Sequence, residues 1–207
     1  MSLSDILTAF TAEITQCDNL IANAHGVGIG GNSILPVLDQ KQITVAAFLN
    51  MFIAWETFLE SAFASYLTGE QTMLGRSTVK YVSPPDTYAA KAMIIGTQRY
   101  FDYGNHDNVK KIARMFFQNG YPFEPHISAI FFDLADLRTM RNSSAHITST
   151  TQTALESLAL RIFGSPRPGI DLYQLLTCTD PRVPRGQTVL SVYRDKLTTT
   201  AALIAQG

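Results

Sequence analysis

"ITVAAFLNMFIAWETFLESAF", residues 43–63, carries apolar side chains on nearly every side of a helical wheel. A surface helix shows one apolar stripe. A helix that is apolar all round belongs at the centre of a bundle or between two subunits. The expected helix runs from about Lys41 to Leu67. Glu56 adjoins its apolar face, where a carboxylate needs a partner or a shifted pKa. Glu56 either meets an arginine from another helix or sits at the edge of that face.

Outward from this stretch the helical period continues. Ile6, Leu7, Phe10, Ile14, Cys17 and Ile21 recur at three- and four-residue spacing, predicting a helix from about Leu3 to Ala24 with Ser4 as its cap. The glycine-rich "HGVGIGG" joins it to the central helix. No Lys-Ser/Thr follows these glycines and no strand precedes them, so they read as a connection rather than a phosphate loop. Further helices are expected at about Thr87–Tyr100, over "HDNVKKIARMFFQNG", and from near Pro125, with a buried stripe of Ile127, Ile130, Phe131, Leu134 and Leu137. "TSTTQT" passes through or restarts a helix that "GSPRPG" ends. Residues 165–187 hold four prolines and read as a loop around one short helix, and a last helix spans about Val189–Ala205. No strand run appears, so the expected fold class is all-α, a single-domain helical bundle.

Composition bounds the function classes. Of 207 residues, 46% are hydrophobic and 16% charged, ample for a core and unlike a disordered chain. The net charge of −1 does not fit a polyelectrolyte that coats nucleic acid. Residues 1–137 hold eight basic and thirteen acidic residues, whereas residues 138–207 hold eight and four. That basic excess is either solvated scatter or a local anion-binding face. Cys17 and Cys178 make no disulfide framework and read as buried thiols in a reducing compartment. The N-terminus shows no secretory pattern, and "VAAFLNMFIAW" is too short to span a bilayer, so the expectation is a cytoplasmic protein without a membrane partner. His25, His106 and His126 stand apart from one another, which predicts no metal site.

"LRTMRNSSAHIT", residues 137–148, carries the chemistry. Arg141 lies four residues past Leu137 and seven past Leu134, so it continues the buried stripe where an apolar residue is due. A guanidinium there needs a carboxylate, a phosphate or a solvent cleft. Ser144 and Ala145 keep the adjoining surface low. Asn142 lies one turn below His146 and can fix its tautomer. Arg141 and His146 are five apart, about 140° round the axis, so one straight helix does not aim both at one small target. Two copies related by a two-fold axis and packed along this face could surround a groove with two arginines and two histidines. A histidine that titrates near neutral pH and a phosphate-binding arginine suit RNA phosphodiester cleavage, because the 2′-OH is a built-in nucleophile. The competing reading is a helix C-terminus with Arg141 paired to a bundle carboxylate.

"RNSSAH" and the helix around Ala54–Ser61 together resemble the HEPN superfamily. Its signature is Arg, a polar residue, three further residues and His; the early helix is similar to the branch associated with RiboL-PSP proteins. The resemblance covers roughly residues 46–163. It implies a HEPN-like bundle over residues 1–164, with extra helices, and a Pro-rich loop and C-terminal helix over 165–207 packed on the same domain. It also implies a metal-independent endoribonuclease needing no cofactor, often a toxin or defence effector with an antitoxin protein as partner, acting on RNA as a homodimer. Arg141 and His146 would be catalytic. Asn142 would support them, and Ser144, Glu56 and Arg138, singled out by the residue pattern rather than by the resemblance, are the further supporting or binding candidates. Some members bind nucleotides, RNA or protein partners without cutting, which is the alternative.

Overall fold

In the computed structural model the protein is an all-α helical bundle. The structure describes all residues except 146, 147 and 185. Nine α-helices are found among the described residues: α1 Leu3–Ala24, α2 Val37–Thr68, α3 Thr87–Ile95, α4 His106–Phe116, α5 Phe123–Ala129, α6 Phe131–Ala145, α7 Ser149–Phe163, α8 Leu172–Thr177 and α9 Val189–Gln206. Extended pairing among them is limited to three isolated bridges.

Local chemistry explains the boundaries. The cap of α1 is Ser2, not Ser4: its hydroxyl accepts the Asp5 N–H at 3.1 Å, and the Asp5 carboxylate reaches back to the Ser2 N–H. That reciprocal arrangement satisfies two donors of the first turn. α3 stops at Gly96, with φ 60°, well before Tyr100. The helix expected from Pro125 is broken into α5 and α6 at Ile130 (φ −115°, ψ 24°). "TSTTQT" restarts the chain as α7, with Thr148 and Thr151 forming a capping box, and Gly164 in the left-handed region ends it.

The chain divides into two compact units. The first comprises Met1–Ala12, Ala54–Leu134 and Lys196–Gly207. Its core is aromatic. Phe63 stacks on Phe123 at 3.7 Å between centroids, and Trp55, Phe58, Tyr66 and Phe117 are fully buried. The polar tips are satisfied as buried groups must be: the Trp55 indole N–H donates to His106 Nε2 at 3.2 Å, and the Tyr66 hydroxyl donates to the Ile204 carbonyl at 2.6 Å. Here α2 is buried continuously from Ala62 to Leu67, matching the apolar sequence. Lower on the helix, Ala46, Asn50, Ile53 and Thr57 form an exposed stripe, so α2 is not enclosed along its whole length. At 32 residues α2 is long and apolar enough to cross a bilayer by length and composition; half of its most apolar window is buried in the protein.

The second unit comprises Glu13–Ile53 and Ala135–Asp195. Its buried residues include Phe48, Phe52, Leu137, Met140, Leu155, Leu158, Ile162, Leu175 and Leu176. The Pro-rich segment is tied down within this unit. Lys41 pairs with Asp171 at 2.8 Å, and His25 stacks on Tyr173 while its Nε2 lies 3.0 Å from the Thr44 hydroxyl. Cys178 lies just past α8 and is half-exposed, so only Cys17 is a buried thiol.

Candidate functional site

Residues 141–145 of the motif occupy the last turns of α6, and the placement of Arg141 corrects the sequence expectation. The buried positions of α6 are Leu134, Asp136, Leu137 and Met140. Met140, three residues past Leu137, takes the apolar place assigned to Arg141. Arg141 lies a further 100° round the helix and is exposed. A stripe can advance by three or by four residues, and the chain here advances by three.

Arg138, Arg141 and Asn142 therefore share one exposed face of α6. One Arg141 Nη donates to the Asn142 side-chain oxygen at 3.4 Å, and Arg141 has no carboxylate partner among the described residues. Ser143 and Ser144 are half-buried and turn their hydroxyls onto the helix backbone, Ser144 donating to the Arg141 carbonyl at 2.6 Å. Ser144 thus acts on the helix end rather than offering a free hydroxyl. His146 lies outside the described residues. Glu56 is half-buried on α2, in the first unit.

The basic excess of the C-terminal third is largely engaged elsewhere. Arg161 grips Asp136 with two N–H donors at 2.7 and 3.1 Å. Arg182 grips the buried Asp180 in the same forked way, which pushes its guanidinium pKa further up. Arg194 bridges Asp18 and Asp195, and Lys196 meets Asp133 at 2.5 Å. Arg167 covers the Phe163 ring at 3.8 Å. Arg141 differs from these arginines: exposed, beside an amide and without an ion pair, it can take an anion without first breaking a bond to a carboxylate.

Sequence reasoning missed the network beneath this face. Asp136 is buried, accepts from the Tyr193 hydroxyl at 2.7 Å and holds Arg161, so one carboxylate joins α6, α7 and α9. The signal was present: an acid between Leu134 and Leu137 sits on the apolar stripe, the anomaly wrongly ascribed to Arg141. The described residues contain no cluster of three or more side chains able to hold a metal ion. No family model matches the chain, and neither the curated proteins nor the solved structures searched gave a match.

Proposed function

We propose that the protein is an endoribonuclease of HEPN type, acting as a homodimer through Arg141, Asn142 and His146. The observation that carries the reading is the exposed, carboxylate-free guanidinium of Arg141 beside Asn142 at the end of α6. In this reading Arg141 binds the scissile phosphate and stabilises the charge that grows on its oxygens. His146 serves proton transfer. The substrate 2′-OH loses its proton and bonds to phosphorus, the P–O5′ bond breaks, and O5′ takes a proton. The products are a 2′,3′-cyclic phosphate and a 5′-hydroxyl. This chemistry needs neither a metal nor a covalent enzyme intermediate. An antitoxin protein is the partner that a toxin role would require.

RNA cleavage in EDTA, with wild type, His146→Ala and Arg141→Ala, tests the proposal. Cyclic-phosphate ends produced by wild type and lost in both variants are expected. Cleavage unchanged in His146→Ala, or no cleavage of any RNA by wild type, overturns it. A binding-only module is the second reading: Arg161, Arg182 and Arg194 are held in ion pairs, so Arg141 has fewer free cations with which to share the charge of a transition state. Tight RNA binding without cleavage would select that reading.

A further inference from the structure

Within the first unit, residues 77–81 lie against residues 116–118. The Tyr81 N–H donates to the Phe116 carbonyl at 2.9 Å, and the Gln118 N–H donates to the Val79 carbonyl at 3.0 Å. Between these segments is a cleft of about 640 Å³, inside the ~300–1,000 Å³ range usual for small-molecule sites. Ser77, Thr78, Gln118, Asn119 and Glu124 contribute its polar lining. A second recess shares Asn119 and Glu124 and adds Tyr81 and Arg114.

Three features make this more than a surface dip. Its walls are set by backbone hydrogen bonds, so little ordering is needed on binding. Asn119 is held at φ 54°, a conformation that a non-glycine residue adopts at some cost and that often accompanies a binding site. The exposed side-chain amides of Gln118 and Asn119 make no hydrogen bond to the protein among the described residues. Together they offer both donors and acceptors, which complement the edge of a nucleobase. Tyr81, 61% exposed, lines the second recess, on the other side of Asn119 and Glu124 from the cleft's Gln118, and tyrosine rings are stacking platforms for bases. Unbonded amides beside an exposed tyrosine fit a nucleobase better than a neutral sugar or an apolar peptide.

We infer that this cleft and the recess that adjoins it at Asn119 together seat an unpaired base of single-stranded RNA, with Tyr81 of the recess stacking on it and the Gln118 and Asn119 amides of the cleft reading its edge. The inference shares its partner with the proposed nuclease but not its chemistry. Binding is therefore measured on fluorescein-labelled 2′-O-methyl RNA twelve-mers of each base, which cannot be cut by 2′-OH attack. Wild type binds at micromolar concentration or tighter. Tyr81→Ala weakens binding about tenfold, as loss of one stacked base does. Asn119→Gly weakens it about fivefold through the lost amide, while keeping the melting temperature, because glycine accepts the positive φ without strain. Absence of wild-type binding, or both variants binding within twofold of wild type, overturns the inference. The two readings fail separately: a protein that cuts no native RNA is not the proposed nuclease, yet its binding of uncuttable RNA is still decided by Tyr81 and Asn119.

Discussion

The Tyr193 hydroxyl donates to Asp136 at 2.7 Å while the same carboxylate receives both arms of Arg161. A residue of the motif helix is thus bonded to α7 and α9 within a buried polar network. Burial pushes the Tyr193 phenol pKa upward, and donation to Asp136 adds to the effect, so the hydroxyl remains the donor. Asp136→Ala leaves a buried hydroxyl without its acceptor and frees Arg161. We expect a loss of about 2 kcal/mol in urea unfolding. Tyr193→Phe costs about 1 kcal/mol, and the double variant loses less than the sum because the two residues share one bond. Additive losses would mean that the network does not act as a unit.

Arg141 is exposed and has no carboxylate partner among the described residues. Arg141→Ala should therefore change stability by no more than about 0.5 kcal/mol. On the proposed function, RNA cleavage falls about a hundredfold or more. A variant that loses activity and stability together would place Arg141 in the architecture instead. Urea unfolding and a cleavage time course on the same preparation separate the two.

His126 on α5 is half-buried, and desolvation lowers its pKa below the ordinary 6.5. Between the folded and unfolded values, the unfolded chain holds a proton that the folded chain does not. This contribution to stability is complete above pH 6.5 and is lost as the pH falls through that window. His126→Gln should flatten the pH dependence of stability below pH 6.5. An unchanged slope between pH 5 and 7 would assign that dependence to other groups.

The two thiols should react at very different rates. Cys17 is 5% exposed, and burial, helped by Glu13 and Asp18, raises its thiol pKa. Cys178 is half-exposed, with an Arg167 N–H 3.5 Å from its sulfur. Native protein should titrate one fast thiol with a disulfide reagent, mapped to Cys178 by mass spectrometry, and two in urea. Rapid labelling of Cys17 in native protein would contradict its burial.

Much of this architecture is legible from residue order. Ile6, Phe10, Ile14 and Cys17 mark α1 because apolar periodicity and burial are the same fact seen twice. Gly164 and the Thr148–Thr151 box announce the ends of α7, since caps are local chemistry. The kink at Ile130 and the start of α2 at Val37 were less visible. Backbone geometry at Ile130 and a helix onset among exposed residues leave little trace in an apolar pattern.

For the candidate site, the sequence by itself determined that Arg141 and Asn142 end an apolar helix, because composition and period are properties of the chain. Which of Arg141 and Asp136 would be buried was decided only by tertiary structure. Both lie near the apolar stripe of α6, and the helix turned Met140 inward, leaving Arg141 exposed. Asp136 could be buried because Arg161 and Tyr193, 25 and 57 residues further along, supply the donors that its carboxylate needs. The amide-lined cleft is likewise a tertiary product. It forms where hydrogen bonds bring residues 77–81 against 116–118, and no local rule joins segments that far apart.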